Sequence, residues 1–336
     1  MNDSFLSRSA CPACAAACPT IFSRPFAEPR LKAALIAFYA RVGALDYGAL
    51  EGADFTLAAC SACGLVFQTN VPCDDLLGRL YEEWISPAQA LARFHGDLPA
   101  DHFLALAREV GLAAELARPG SPRRALDYGC GWGEWSQMTQ AFGFEAWGTE
   151  LSPTRRAHAE RAGVRIAGDR DLAEGSFGLV NIDQVLEHLP RPGETIAMLA
   201  GKLHPAGVLR VAVPNGLRVR RALRHFDREL SEPRLGGLNP VAPLEHLNCF
   251  STRSLLRLAA GCGLRRVQPP WRALLGTFAL PRGTSAKLKA FARPFYLRSR
   301  FSTQLYFRKE PPGSAPSVRA LPAAGGPSSP PLSATP

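Results

Sequence analysis

No apolar run in this 336-residue sequence reaches the ~18 residues needed to span a bilayer, so no transmembrane segment is expected. The opening stretch, MNDSFLSRSACPACAAACPTIF, lacks a basic region followed by an unbroken apolar one, because Arg8, Pro12 and Pro19 interrupt it. A secretory leader is therefore not expected, and the chain is read as cytoplasmic. Under those reducing conditions nine cysteines stay as thiols, and paired cysteines point to metal before disulfide. There is no internal repeat. Charged residues make up only 20% against 46% hydrophobic, a globular balance. Acids are the scarcer sign: 29 Asp and Glu against 39 Lys and Arg give a net charge of +10. That excess suits phosphate-bearing or acidic partners, although an arginine- and alanine-rich coding bias produces the same balance.

Four segments separate along the chain. Residues 1–80 hold six of the nine cysteines. Residues 81–120 read as a helical linker, since DHFLALAREVGLAAELA has apolar residues at helical spacing and stops at Arg118-Pro119-Gly120. Residues 121–310 alternate short β-like runs with helical stretches, the pattern of a parallel sheet with crossover helices. Residues 311–336 are Pro, Ser, Ala and Gly, too poor in apolar surface to offset ordering entropy, and are expected to be disordered.

The run RRALDYGCGWGEWSQMTQAFG carries the most information. Ala125–Tyr128 reads as a buried strand, Gly129, Gly131 and Gly133 follow at alternate positions, and a helix follows from Trp135. Glycines let the backbone turn sharply and approach a ligand, and a helix N-terminus offers free N–H groups. About 20 residues on, EAWGTELSP reads as a strand ending in Glu150, where a carboxylate accepts two hydrogen bonds from a ribose diol.

Cys11-Pro-Ala-Cys14 and Cys60-Ser-Ala-Cys63-Gly64 are two C-x-x-C pairs, each able to clamp a tetrahedral metal from a tight turn. Together they make a four-cysteine zinc site. The spacer between them, about 45 residues, is longer than usual, but loop closure entropy grows slowly with length. Two unrelated cysteine pairs are the competing reading. Cys18 and Cys73 are spare candidates.

With Asp127 two residues ahead of a G-x-G-x-G loop, rather than G-x-G-x-x-G, the nucleotide motif resembles motif I of class I S-adenosylmethionine-dependent methyltransferases. FGLVNIDQVLEHLPRP resembles that superfamily's fourth strand and following helix, and LHPAGVLRVAVPN its turn and fifth strand. The resemblance covers about Arg123–Asn215 and again EHLNCFSTRSLLRLAAGCGL. It implies an α/β fold: a Rossmann-like, mostly parallel sheet with an antiparallel last strand, beside a small N-terminal zinc-ribbon-like module. The module is similar to those on some bacterial methyltransferases, including sugar C-methyltransferases, where zinc is structural.

By that resemblance Gly129, Gly131 and Gly133 approach the methionine part of S-adenosylmethionine, and Asp127 either orients the loop or binds the cofactor's amino group through water. Glu150 holds the ribose, Leu151 packs on the adenine and Asp169 sits by the adenine amino group. Ile182 and Asp183 lie near the methionine end. Gly178 stands where the family usually has Asp, and Ala206 replaces the second turn glycine.

Methyl transfer needs an aligned acceptor and, for a hydroxyl or a carbon acid, removal of a proton, and the sequence leaves oxygen, nitrogen and carbon open as the methylated atom. His246 in LEHLNCF follows the insertion Gly216–Leu244, part of an expected active-site cover over 216–250. It is the favoured substrate-side residue, and His188 in LEHL is its rival. Glu187, Glu245 and Asn215 are weaker candidates. Cys130 reads as a small packing residue, and Cys249 and Cys262 as core thiols. Residues 280–299, basic and aromatic, stay open between an interfacial segment and a pocket cover, whereas RFSTQLYFRKE reads as the last strand.

The expected acceptor is a small molecule or a sugar or glycan precursor. An RNA-modifying enzyme is the alternative suggested by zinc and positive charge. It is disfavoured because NIDQVLEHL stands where amino-group nucleic-acid methylases carry an N-P-P-Y type motif. A non-catalytic scaffold is a third reading, opposed by the complete glycine loop and ribose acid.

Overall fold

The computed structural model describes residues 4–41, 43–84, 100–276 and 284–311. Residues 85–99 of the expected linker and 312–336 of the expected disordered tail lie outside the described residues, as do 277–283. Strands are numbered in chain order: β1 Phe5–Ser7, β2 Thr20–Pro25, β3 Asp54–Ala59, β4 Val66–Gln68, β5 Asn70–Pro72, β6 Arg124–Tyr128, β7 Glu145–Thr149, β8 Arg165–Ile166, β9 Phe177–Asp183, β10 Leu203–Ala212, β11 Asn248–Cys249, β12 Leu264–Val267 and β13 Gln304–Lys309.

Seven strands form the main sheet in the order β12-β13-β10-β9-β6-β7-β8. The pairs from β10 to β8 are parallel, and β13 runs antiparallel to both its neighbours. The expected mostly parallel sheet with an antiparallel last strand is what the chain forms. Strand β9 is buried along almost its whole length, as a strand covered by helices on both faces must be.

Helices begin where the sequence supplies start signals. Pro153 and Pro192 occupy first-turn positions of helices Pro153–Arg161 and Pro192–Lys202, where a missing N–H costs nothing. Ser251 and Ser254 form a reciprocal capping box ahead of helix Thr252–Gly261. Helix Ala100–Leu116, within the expected linker, packs Val110, Leu112 and Ala113 against Ala125, Leu179 and Val208 of the sheet.

Gly178, at the position where an Asp was expected, shows why no side chain stands there. A Cβ would lie 2.1 Å from the Pro122 carbonyl oxygen, so the chain entering β6 occupies that space.

The N-terminal module is built on an antiparallel sheet of order β11-β4-β3-β2, beside the pair β1-β5. Its fourth strand, β11, comes from far along the sequence, at the end of the 216–250 insertion. The insertion folds as short helices Val219–Arg224 and Phe226–Leu230 and a kinked 3-10 segment Pro233–Val241. Phe226 lies 4.5 Å, ring to ring, from Phe22 and 6.4 Å from Phe55. Burying each such ring contributes roughly 1.5–3 kcal/mol, which ties the insertion to the module. Cys11, Cys60, Cys63 and Phe67 are continuous with the sheet core around Leu126, Val180 and Phe250.

Candidate active site

At the C-terminal end of β6 the chain turns through Gly129 (φ 74°), Gly131 (φ 56°) and Gly133 (φ 82°), all left-handed. Gly129 meets two constraints at once. L-residues avoid this φ, and a Cβ there would stand 2.6 Å from Val185 Cγ2. Gly133 caps helix Glu134–Ala141, whose N-terminus therefore opens on the loop. Glu150, just past β7, braces the loop: its Oε2 accepts from the Gly131 N–H at 2.9 Å and its Oε1 from the Ser152 N–H at 2.9 Å. Each oxygen retains a second acceptor site for a diol. Leu151 beside it is 82% exposed, an apolar surface with nothing packed over it among the described residues. Asp169, after β8, accepts from the Tyr128 hydroxyl at 3.2 Å. Cys130 is buried, and burial pushes its thiol pKa up, which suits packing rather than nucleophilic attack.

Beneath the loop lies a polar ladder that the sequence reading did not anticipate. Asp127, Asn181 and Arg210 stand in register on adjacent strands β6, β9 and β10. Asn181 Nδ2 donates to Asp127 Oδ1 at 2.7 Å, and Arg210 donates to Asn181 Oδ1 at 2.7 Å and Asp183 Oδ2 at 2.9 Å. Arg210 also pairs with Glu109 at 2.9 Å. All three ladder residues are buried. Desolvation lifts the Asp127 carboxyl to about 7, with the Asp183 charge adding to it and Asn181, Arg210 and Ser136 opposing. Asp127 thus lies under the loop, and Asp183 marks the strand end. The Ile182 side chain points into the core, fully buried. The available signal was the polar spacing Asn181-x-Asp183 in an otherwise apolar strand.

After β9 the chain passes Val185, packed on Gly129, into the short turn Leu186–His188. His188 and His246 meet there edge to face, ring centroids 4.8 Å apart. His188 Nδ1 bonds the Glu245 carbonyl oxygen at 2.9 Å, and His246 Nδ1 bonds that of Asn239. Burial, with His246 alongside, lowers the His188 pKa to about 3, and burial lowers that of His246 too. Both rings are therefore neutral near pH 7. Glu245 offers His188 its backbone carbonyl, while its carboxyl faces the Tyr39 hydroxyl. Glu187, 1% exposed, has neither carboxyl oxygen hydrogen-bonded among the described residues, and burial lifts its carboxyl to about 8. Asn248 Nδ2 clamps the turn through the Leu189 carbonyl at 2.7 Å, and Gln68 Nε2 of the N-terminal module donates to the His246 carbonyl at 3.0 Å. Asn215 is engaged elsewhere, donating to the Phe301 carbonyl at 2.9 Å and accepting from the Leu217 N–H.

A family model described as a methyltransferase domain matches residues 100–268, half of the chain. The chain belongs to the methyltransferase domain family. The match begins at helix Ala100–Leu116 and ends on β12, so it takes in the glycine loop, the ladder and the histidine pair. Over 150 residues the chain is 33% identical to a ubiquinone biosynthesis O-methyltransferase of Caulobacter sp. (strain K31), covering 40% of this chain and 58% of that one. Over 115 residues it is 34% identical to the protein of the same name from Xanthomonas campestris pv. campestris (strain B100), covering 31% and 47%. The chain thus spans about half the length of the curated relatives it matches. Among solved structures it is similar to the plantazolicin methyltransferase BpumL, with TM-score 0.46, 10% identity and 70% and 95% coverage. It is also similar to CalS10, an amino pentose methyltransferase from Micromonospora echinaspora, with TM-score 0.29, 27% identity and 38% and 56% coverage.

In the N-terminal module the two C-x-x-C pairs come together. Cys11 Sγ lies 3.5 Å from Cys63 Sγ and Cys14 Sγ 3.5 Å from Cys60 Sγ, with all four sulfurs within 4.8 Å of one another. Four thiolates at ~2.3 Å from a tetrahedral zinc are about 3.8 Å apart, so the cluster fits a zinc module. Cys18 and Cys73 are not among the four. The second pair leads directly into β4, whose Gln68 holds His246. No helix among the described residues is long and apolar enough to cross a membrane.

Proposed function

We propose that this chain transfers the methyl group of S-adenosylmethionine to a hydroxyl oxygen of a small-molecule or sugar-type acceptor. The observation that carries the reading is the loop Gly129–Gly133 braced by Glu150 across β6 and β7. It offers left-handed backbone and a helix N-terminus on one side and a carboxylate with acceptor sites on the other. In this reading Glu150 holds the ribose diol, Leu151 covers the adenine, Asp169 faces its amino group, and the three glycines line the methionine. Asp127 and Asp183 act through the ladder, fixing the loop and strand end. The cofactor supplies the electrophilic methyl; the protein aligns the acceptor.

Oxygen as the methylated atom is supported by the similarity over 150 and 115 residues to ubiquinone biosynthesis O-methyltransferases. His188 and His246 contact the acceptor beside Val185 and Gly129. Being neutral, they present lone pairs and not charges. The cysteine cluster holds one structural Zn²⁺ through Cys11, Cys14, Cys60 and Cys63 and fixes β4, and hence Gln68 and His246.

The test is transfer of labelled methyl from S-adenosylmethionine to a panel of phenolic, sugar and nucleoside hydroxyls, with RNA as a comparison. Label appearing on a small hydroxyl acceptor is expected. Label on RNA alone, or on nitrogen alone, contradicts the reading. For zinc, elemental analysis should return about one equivalent per chain, lost in Cys11→Ser. Unchanged zinc in that variant ends the assignment.

A further inference from the structure

Arg8 follows β1 directly and is fixed on both sides. Its backbone N–H donates to the Thr69 carbonyl at 2.7 Å, continuing the β1-β5 pairing, and the first C-x-x-C pair begins three residues later. A guanidinium has five N–H donors, and here all five are used. Nε and one Nη donate to the Gln68 carbonyl at 2.9 and 2.6 Å, and the same Nη donates to the Leu247 carbonyl at 2.8 Å. The other Nη donates to Asn248 Oδ1 at 2.9 Å and to the Pro190 carbonyl at 3.2 Å. None of these bonds goes to a carboxylate. The acceptors lie on three segments: the end of β4, the chain just past the turn Leu186–His188, and the entry to β11.

We propose that Arg8 is a positioning residue of the methyl-transfer site, registering the turn that carries His188 against the segment that carries His246. The proposal rests on the reading in which both histidines contact the acceptor.

Arg8 reaches the histidines by two routes. The first runs through Asn248, 1% exposed. Its Oδ1 faces Arg8, which only donates, so its Nδ2 faces the opposite way and donates to the Leu189 carbonyl at 2.7 Å and the Leu186 carbonyl at 3.3 Å. Arg8 thereby sets the orientation of the amide that closes the His188 turn. The second runs through Gln68. Its N–H donates to the Leu247 carbonyl at 2.9 Å and its Nε2 to the His246 carbonyl at 3.0 Å, while Arg8 holds the carbonyls of both Gln68 and Leu247.

Four oxygens facing one point repel one another unless donors stand between them. Removing the guanidinium leaves them without partners and drives the three segments apart. Lysine, with three donors and no planar fork, replaces it only in part. The bond from His188 Nδ1 to the Glu245 carbonyl crosses between two of these segments, so a shift between them acts on it directly. A carbonyl only accepts, so in the registered structure Nδ1 of each histidine carries the hydrogen.

The test reads the rings in the full chain with its zinc retained. Nitrogen chemical shifts of His188 and His246, detected through carbon-bound ring hydrogens and assigned with His188→Gln and His246→Gln, report which ring nitrogen is protonated. Wild type should show the Nδ1–H form for both. Arg8→Gln should turn His188 into a mixture of the two neutral forms. It should also raise KM for a hydroxyl acceptor by roughly tenfold or more, with S-adenosylmethionine affinity and zinc content unchanged. Arg8→Lys should fall between, and Arg24→Gln, at an exposed arginine of the same module, should match wild type. A loss of stability alone, with ring signals and acceptor KM as in wild type, overturns the proposal. Should Arg8→Gln lose its zinc, Arg8→Lys and Asn248→Asp decide the matter. Asn248→Asp keeps an acceptor for Arg8 but removes the donor to Leu189, and an unchanged His188 signal in both variants overturns the proposal. If no hydroxyl takes label, the methyl-transfer reading fails, whereas the ring signals still decide whether Arg8 registers the two segments.

Discussion

Arg210 donates to Asp183 at 2.9 Å from near the C-terminal end of β10, with only 1% of its side chain exposed to solvent. It answers two acids, Asp183 and Glu109, and also holds Asn181, which holds Asp127. Removing one member of a buried charge network leaves the others desolvated and unpaired. Arg210→Met should therefore destabilise the fold by about 3–5 kcal/mol in urea unfolding, well above the cost of an exposed arginine. A loss below about 1 kcal/mol would show that the network is not needed for stability.

Gly129 and Val185 supply a paired test. Gly129→Ala imposes an unfavourable left-handed alanine and a contact at 2.6 Å with Val185. A loss of about 1–3 kcal/mol is expected, together with weaker binding of S-adenosylmethionine. Adding Val185→Ala should recover the steric part and leave the backbone part, so the two changes should be non-additive. Strict additivity in thermal unfolding would contradict the packing described.

How far the fold could be read in advance follows from such contacts. The glycine loop, Glu150 and the last strand were legible because each rests on local sequence: alternate glycines, an acid one strand later, and the run RFSTQLYFRKE; the antiparallel direction of that strand came from the family resemblance. The in-register ladder was not, because Arg210 in GVLRVA looks like a strand residue facing solvent until β9 is known to lie beside it. Likewise β11 pairs with β4 across some 180 residues of chain, and no local signal marks Asn248–Cys249 as a strand of the N-terminal sheet. Glu187 was noted only as a weaker candidate, since its burial depends on the segment carrying His246 and Asn248.

Asp127 makes stability depend on pH. Its carboxyl is raised to about 7 in the folded chain from an ordinary 3.8. The folded state then binds a proton that the unfolded state releases as pH rises between those values. Asp127's contribution therefore becomes progressively less favourable across that window and levels off above it. Asp127→Asn removes the titration while keeping an acceptor. Its stability relative to wild type should rise by about 1–2 kcal/mol between pH 5.5 and 8. A difference that stays constant over that range would mean the carboxyl is not raised.

Calorimetry of S-adenosylmethionine binding to wild type against Glu150→Ala tests most directly whether Glu150 and the glycine loop hold the cofactor. Hydrogen bonds to a charged group are worth about 1.5–3 kcal/mol each before water compensates, so a loss of affinity of roughly tenfold or more is expected, with the fold intact. Equal affinity in the two proteins, or no binding by the wild type, would contradict it.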